Sequence, residues 1–359
     1  MWPDRRFLDL VGIEHPIVQA PMAGFGPPAL AAAVSEAGGL GSLACATLTL
    51  DQTRAGVGVI RQRTDRPINV NFFVHTPPVP DPAREAAWRE SLGAYYAEFG
   101  IDPATIPEGP GRAPFDAAAC DLMVELRPRV VSFHFGLPEQ RLFERVKAAG
   151  CVTMSSATTV EEARWLEARG VDAIIAQGAE AGGHRGMFLT TDTAAQPGTM
   201  ALVPQIVDAV NVPVVAAGGI ADARGVVAAL ALGASAAQIG TAYLFCDEAG
   251  TSAVHRAALK SGAADATSLT NIFTGRPARG LLNRVMREQG PISPHAPAFP
   301  LATSAIQPLR AAAEAKGSGD FSPLWSGQAA ALGRDGPAAD LTRALADGAR
   351  AGMRALAGR

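Results

Sequence analysis

Short apolar runs that alternate with helix-like segments constrain the fold of this chain more than any other feature of the sequence. Eight of these runs are candidate strands, and most of them precede a segment with helical character. Each run is continuously apolar, as expected of a strand that is buried on both faces of its sheet. The candidate strands are Ile17–Ala20, Leu40–Cys45, Ile68–Val74, Val130–Phe135, Val152–Ser155, Ala173–Gln177, Val214–Ala217 and Ala236–Gly240.

Repeated βα units of this kind indicate parallel strands joined by right-handed crossovers. Eight units predict an α/β fold of the closed (β/α)8, or TIM-barrel, type. An open, doubly wound sheet is the alternative. The predicted helices of the units are Pro28–Ala37, Asp51–Arg63, Glu139–Ala149, Val160–Arg169, Ala201–Val210, Asp222–Leu232 and one that begins near Ser252.

The length of 359 residues exceeds the roughly 250 that a barrel alone typically takes, so an accessory piece is expected. We predict a barrel over residues 1–260 with an insertion at about 76–114, which holds one short helix at about 82–99. Residues 261–359 are predicted to be a smaller, mainly helical segment that packs at the barrel mouth. Its helices are expected at Leu309–Lys316, Trp325–Leu332 and Ala338–Ala357.

Charge and cysteine usage exclude several classes of partner. The net charge is -3 and no basic stripe is present, which argues against nucleic acid. Four dispersed cysteines without a CxxC pair indicate a reducing compartment and no structural zinc. The first ten residues lack an apolar signal core, and the uncharged stretch 225–246 is interpreted as a buried helix followed by a strand rather than as a membrane span. We therefore expect a cytoplasmic protein without a membrane partner, as a monomer or a homodimer.

Glycine pairs follow the last two predicted strands, where barrels often bind phosphate. Gly218 and Gly219 follow the seventh strand, and Gly240 with Thr241 follows the eighth. Without a Cβ, these residues let backbone N–H groups approach an anion closely. The alternative is that the glycines serve only tight turns.

A second glycine motif resembles a dinucleotide-binding fingerprint but is rejected. Gly24–Ala29 matches G-x-G-x-x-A, and Asp51 follows about 20 residues on. Pro21 separates the strand from these glycines, where a central strand should run directly into the turn. Pro27 and Pro28 also remove N–H groups that a pyrophosphate requires.

His184 is the candidate catalytic residue. It follows Gly182 and Gly183 in a polar, glycine-rich loop at a strand end, where functional residues are common. Its titration range suits acid–base work or a hydrogen bond to an anionic substrate; the alternative is a surface histidine. His134 lies in an apolar run, so it is either a core residue or a substrate contact, and Gly183 is a second candidate substrate contact.

The groups that the sequence lacks restrict its chemistry. It has no cluster with metal-ligand spacing, no nucleophile with an evident base and no paired carboxylates. A phosphorylated cofactor that supplies the reactivity is therefore expected. The amides of Asn71, Gln177 and Gln238 suit the edge of a flat ring, and the small residues Ala20–Ala23 let the backbone approach it. We expect FMN rather than pyridoxal phosphate, because no lysine lies at a strand end.

Five motifs together resemble those of the nitronate monooxygenases of class I, formerly called 2-nitropropane dioxygenases. The similarity extends from about Ile17 to Asn283. The motifs are Gln19–Gly24, Asn69–Phe73, Ser132–Gly136, Gly178–Gly186 and Phe273–Arg279.

The resemblance implies an FMN-containing barrel with a smaller second domain, and a catalytic role for His184. It also implies that an alkyl nitronate gives one electron to FMN, which forms an anionic semiquinone, and that O2 then yields a carbonyl compound and nitrite. Metals and nicotinamide cofactors are not implied. The cofactor-binding candidates, from the resemblance and the residues combined, are Ala20, Pro21, Met22, Asn71, Gln177, Gly182, Gly218, Gly219, Gln238, Ile239, Gly240 and Thr241.

The C-terminal region departs from the family pattern. Family members often carry tyrosine and lysine near the substrate, whereas residues 299–307 contain neither. Propionate 3-nitronate is therefore only the default substrate. Two alternatives stay open: a related FMN barrel that uses NAD(P)H, such as a quinone or enoyl-thioester reductase, and a non-enzymatic barrel that binds a phosphorylated ligand.

Overall fold

Eight parallel strands form the centre of the molecule. The computed structural model describes residues 2–106 and 112–358. The bounds of the strands are β1 Ile17–Gln19, β2 Gly41–Ala44, β3 Ile68–Phe73, β4 Val130–His134, β5 Val152–Ala157, β6 Ala173–Gln177, β8 Val214–Ala217 and β9 Ala236–Ile239, while β7, Gly183–His184, belongs to a second sheet. The eight strands pair in the order β1-β9-β8-β6-β5-β4-β3-β2.

The two end strands of this sheet meet, so the sheet is a barrel. A parallel bridge joins Val18 of β1 to Leu40, directly before β2. The predicted TIM-barrel class is thereby confirmed. Every predicted strand is found within two residues of its expected ends, because each continuously apolar run is buried on both faces.

Helices follow most of the barrel strands and cover their outer faces. Local sequence sets their starts: Pro28 occupies the first turn of α2, and Asp222 caps α10 by accepting from the N–H groups of Arg224 and Gly225. The helices are α1 Arg6–Val11, α2 Pro28–Glu36, α3 Leu50–Arg63, α4 Pro82–Ser91, α5 Gly93–Phe99, α6 Ala117–Leu126, α7 Gln140–Ala148, α8 Val160–Glu167, α9 Thr199–Val207, α10 Ala223–Ala231, α11 Ala253–Leu259, α12 Arg284–Glu288, α13 Ala302–Ala315 and α14 Ala338–Ala357. Within residues 2–106 and 112–358, none of them is long and apolar enough to cross a bilayer.

The insertion and the tail differ from their predicted structure in several places. In the tail, helix α13 begins at Ala302 rather than at Leu309, and the short helix α12 was not predicted. The insertion holds two helices, α4 and α5, rather than one, because the chain turns at Leu92, which is the C-cap of the first and the N-cap of the second. The predicted helix Trp325–Leu332 is wrong apart from a single 3-10 turn at Ala330–Leu332. Part of the insertion, residues 107–111, lies outside the described residues.

A small antiparallel sheet at the barrel mouth was not predicted. It consists of β10 Thr267–Thr270, β11 Ala278–Leu281 and the two-residue strand β7 Gly183–His184, with β11 in the middle. The segment from residue 267 to 281 therefore pairs with the loop that follows β6. This pairing brings the tail to the candidate site.

The last helix packs on the side of the barrel. Helix α14 lies against α10 and α2, and its Leu345, Ala346 and Ala349 join the main apolar core. A Cβ added at Gly348 would lie 2.6 Å from that of Ala223 on α10, so the helices approach closely there. The division of the chain at residue 260 stays a prediction.

Candidate active site

A cavity lies at the C-terminal ends of the barrel strands, where the active site was expected. Residues in or directly after β1, β3, β4, β5, β6, β8 and β9 line it. Of the predicted site residues, those that line the cavity are Ala20, Pro21, Met22, Asn71, His134, Gln177, Gly182, Gly183, His184, Gly218, Gly219, Gln238, Gly240 and Thr241. Ile239 is fully buried in the core and is not among the lining residues.

The two glycine turns lie side by side at one end of the cavity. Gly218 and Gly219 have φ angles of 119° and 69°, a left-handed conformation that glycine adopts without strain. A Cβ at Gly218 would also lie 2.7 Å from Thr199 Oγ1. A Cβ at Gly240 would meet only the Cβ of Ala20, at 3.5 Å. Glycine is therefore required by the fold at the first turn but not at Gly240.

A segment of the tail, residues 325–329, closes this glycine-lined end of the cavity. The sequence analysis did not predict this contact. The N–H of Gly327 donates to Thr241 Oγ1 at 2.8 Å, and the N–H of Gln328 donates to the carbonyl oxygen of Glu180 at 3.0 Å. Gly327 and Ala329 line the cavity. A non-helical backbone over residues 325–329, in place of the predicted helix, lets this segment bond to two loops at once.

The three candidate amides differ in how much hydrogen-bonding capacity they keep. Gln177 is engaged at both ends: it accepts from Gly186 N and donates to His184 O. Asn71 donates to Ser132 Oγ at 2.9 Å. Gln238 Oε1 is buried and has no hydrogen-bond partner among the described residues, so it is an amide oxygen that remains for an N–H group of a ligand.

The small sheet fixes the backbone of His184 and also contacts its ring. In β7, His184 pairs with Ala278 of β11, and Arg185 N donates to Pro277 O at 2.9 Å. The His184 Nε2 atom lies 2.9 Å from Thr274 Oγ1, in the turn that precedes β11. One short segment thus determines both where the imidazole is and how it is oriented.

Arg185 anchors the loop between β6 and β7. Its guanidinium is fully buried and donates to Gln196 Oε1, Gly178 O and Gln177 O at 2.6–2.8 Å. Burial lowers the pKa of Arg185 to about 10. Because the guanidinium is planar and donates to three separate oxygen atoms, it fixes the geometry of the loop.

His134 lines the cavity, yet both of its ring nitrogens are engaged by the protein. Nε2 lies 3.2 Å from His184 O, and Nδ1 lies 3.0 Å from Ser156 Oγ. A carbonyl oxygen only accepts, so Nε2 carries the hydrogen. Burial lowers the pKa of His134 to about 3. The ring therefore supports the His184 backbone, and its role as a substrate contact stays a prediction.

Four aromatic side chains surround the His184 ring. The sequence analysis did not predict this aromatic cluster. The ring centroids of Phe73, Phe135, Phe299 and Trp325 lie 5.4–6.0 Å from that of His184. Phe299 and Trp325 come from the tail. No sequence signal marked these two residues, because the loop segments that carry them show no periodic pattern that would place single side chains at the mouth.

The electrostatics of the cavity favour anions. Arg112 of the insertion lines it, and no aspartate or glutamate of residues 2–106 and 112–358 does. Burial, followed by the nearby Arg112, His134 and Arg276, holds the pKa of His184 well below its usual 6.5. Its imidazole is therefore neutral at pH 7. Within the described residues, no group of three or more metal-ligating side chains is found either.

Comparison with known proteins gives concordant results. The family model described as nitronate monooxygenase matches residues 4–348. A nitronate monooxygenase of Pseudomonas aeruginosa is 46% identical over 95% of this chain and 98% of its own, and one of Paraburkholderia phytofirmans is 44% identical over 95% and 94%.

Two solved structures extend the comparison. A nitroalkane oxidase from Streptomyces ansochromogenes superposes with a TM-score of 0.89 at 41% identity, covering 98% of this chain and 99% of that one. FabK from Thermotoga maritima gives a TM-score of 0.73 at 29% identity, over 100% and 99%.

Proposed function

Because this chain belongs to the nitronate monooxygenase family, we propose that it oxidises alkyl nitronates with O2 to a carbonyl compound and nitrite. The observation that carries the proposal is the neutral His184 imidazole in a cavity that has a cation and no acidic side chain in its described lining. Such a cavity attracts an anionic substrate. Propionate 3-nitronate is the first substrate to test.

The family is flavin-dependent, and we propose FMN as the flavin. Three features of the cavity fit it. The turns at Gly218–Gly219 and Gly240–Thr241 line the cavity at the ends of two neighbouring strands, where backbone N–H groups can meet a phosphate. The lining carries no described carboxylate that would repel a phosphate. The buried, unpartnered Gln238 Oε1 suits an N–H donor of the ring.

In this proposal the glycine turns and Thr241 would hold the phosphate, while Asn71, Gln238 and Ala20–Met22 would contact the ring. Bound FMN supplies the electron-transfer chemistry. The protein supplies the surroundings: the aromatic side chains around His184 exclude water, Arg112 attracts the anion, and His184 orients the nitronate or takes the α-proton of a neutral nitroalkane.

Neutral nitroalkanes are a second candidate substrate class. The observation that favours them is the similarity to the Streptomyces protein described as a nitroalkane oxidase. The NAD(P)H-dependent reductase stays the alternative activity. The likeness to FabK is weaker than that to nitroalkane oxidase, in both TM-score and identity.

One pair of measurements tests the proposal. The purified protein is expected to be yellow, to release FMN on denaturation, and to consume O2 and form nitrite with propionate 3-nitronate. Anaerobic mixing with NADH or NADPH is expected to leave the flavin oxidised. Rapid bleaching without nitronate oxidation would replace the proposal with the reductase. A colourless protein that takes up no flavin would favour the phospho-ligand-binding barrel.

A further inference from the structure

The Thr274 hydroxyl contacts the candidate catalytic imidazole, although Thr274 itself does not line the cavity. The residue is 3% exposed, and its Oγ1 lies 2.9 Å from His184 Nε2. The same oxygen lies 3.4 Å from the backbone oxygen of Arg276, a longer and weaker contact. Phe273, its neighbour in the chain, packs against Trp325, and Arg276 stacks 3.8 Å above the ring of Phe135. The hydroxyl is therefore held in a packed turn.

Two arrangements of hydrogens are compatible with these distances. If the hydroxyl donates to Arg276 O, its oxygen accepts from His184 Nε2–H, and both contacts are hydrogen bonds. If it donates to Nε2 instead, the contact with Arg276 O is lost, because a carbonyl oxygen cannot donate. The first arrangement makes two hydrogen bonds with one hydroxyl and is the more stable.

The charge distribution favours the same arrangement. With Nε2 turned to Thr274, Nδ1 is the ring nitrogen left for the cavity that His184 lines. That cavity carries the Arg112 cation and no described acidic group. A lone pair on Nδ1 is attracted by this cation, whereas an N–H group there is repelled.

We propose that the Thr274 hydroxyl holds the His184 imidazole in the tautomer with its hydrogen on Nε2, which leaves the Nδ1 lone pair to accept the α-proton of a neutral nitroalkane rather than to donate to a nitronate. Thr274 is thus a positioning residue that acts through His184. The class of substrate that meets Nδ1 rests on the proposed function.

The consequence is a base for neutral nitroalkanes. The α C–H bond breaks and an N–H bond forms at Nδ1. The C–H electron pair becomes the C=N bond of the nitronate, and one N=O pair moves onto oxygen. The imidazolium donates through Nδ1–H to the new anion and through Nε2–H to Thr274. Proton and charge balance without a further reactant.

The first test reads the tautomer directly and does not depend on activity. Protein labelled with 15N-histidine is examined by long-range 1H–15N correlation, and the His184 signals are assigned with a His184→Asn variant. We expect a pyrrole-type Nε2 and a pyridine-type Nδ1 in the native protein, and a mixture of tautomers in Thr274→Val. A native ring protonated on Nδ1, or an unchanged tautomer in Thr274→Val, would overturn the proposal.

The second test separates positioning from folding. Thr274→Val is expected to lower kcat for nitroethane about tenfold or more while flavin content and KM stay close to native, since a wrongly set tautomer costs turnover rather than binding. Thr274→Ser restores the hydroxyl and should recover most of kcat. Thr53→Val, at a buried threonine of α3 outside the cavity lining whose hydroxyl has no hydrogen-bond partner among the described residues, is the matched control.

The outcomes distinguish this inference from the proposed function. Equal kcat values in Thr274→Val and the native enzyme, or no recovery in Thr274→Ser, contradict a positioning role. A native enzyme that oxidises ethyl nitronate but not nitroethane contradicts the base at Nδ1. A native enzyme that oxidises neither contradicts the proposed function, while the tautomer measured by NMR still decides the role of Thr274.

Discussion

The two ends of the cavity are built in different ways. The glycine-lined end consists mainly of residues that directly follow barrel strands, such as Gly218, Gly219 and Gly240. The end around His184 collects side chains from the insertion, the small sheet and the tail, among them Arg112, Thr274 and Phe299. The first end is set by the barrel and the second by the segments attached to it. Changes at the first should therefore affect cofactor retention, and changes at the second should affect turnover and substrate choice.

The largest expected effect comes from blocking the glycine-lined end. Gly240→Val should give a folded protein that purifies without flavin and without activity, because the added methyl groups extend beyond a Cβ that already contacts the cavity residue Ala20. Gly240 is preferable to Gly219, where a positive φ adds backbone strain. Flavin absorbance per protein is the measurement. Gly58→Val, at an exposed helix position with open space around it, is the control. Full flavin occupancy in the Gly240 variant would contradict the phosphate assignment.

Replacement of His184 should separate the two ends most clearly. We expect His184→Asn to keep its flavin and to lose about 100-fold or more in kcat for nitroethane, the scale of a missing acid–base group. Absorbance spectra and O2 consumption measure the two effects on one sample. Turnover near the native value would remove His184 from the mechanism, and loss of flavin would mean that the ends are not independent.

Arg112 should act on substrate binding rather than on the chemical step. Arg112→Leu is expected to raise KM for propionate 3-nitronate by about tenfold and to change kcat less, as for the loss of one charge-assisted contact. The exposed Arg84, on α4 of the same insertion, provides the control Arg84→Leu. Steady-state kinetics at two salt concentrations check the electrostatic origin. An unchanged KM would indicate that the guanidinium does not meet the substrate.

The smallest expected effect is on the pH dependence of kcat/KM, where His184 should produce no inflection near neutral pH. Burial holds the pKa of His184 well below 6.5, so the ring becomes charged only on acidification below that value. The profile of kcat/KM for a nitronate should therefore show no inflection from this imidazole between pH 6.5 and 9. A clear inflection near pH 6.5 that disappears in His184→Asn would show that the ring titrates as an exposed histidine does.

The glycine-lined end of the cavity and the end around His184 also differ in how well the sequence predicts them. Barrel strands are recognisable as apolar runs, and the residues after them must gather at one rim, so the glycine turns and His184 could be placed before the fold was known. Ile239 belongs to the run Gln238–Thr241 that the family resemblance covers; alternation turns its side chain into the core, and its part in cofactor binding stays a prediction. Strand β7 has only two residues in a glycine-rich loop, too few for any periodicity.

The tail was predicted less well for a different reason. Residues 325–328 have the composition of a loop or a short helix, but their backbone groups bond to Arg279, Glu180 and Thr241, which are distant in sequence. Local propensity cannot anticipate such partners. The positions of Phe299 and Trp325 beside His184 depend on the same long-range contacts. The sequence therefore did not predict these two residues of the cavity end around His184.

Helix α14 has a consequence for how this chain is made. It covers the barrel beside α2 and α10, yet it follows the last barrel strand by about a hundred residues. During synthesis the apolar surface between those two helices stays uncovered until the residues that separate α14 from the last barrel strand have been made. Contacts between parts so far apart in sequence form slowly. An apolar surface that stays exposed meanwhile promotes chaperone binding or aggregation. The outer side of the barrel at α2 and α10 and the end of the cavity around His184 therefore both depend on residues C-terminal to the last barrel strand.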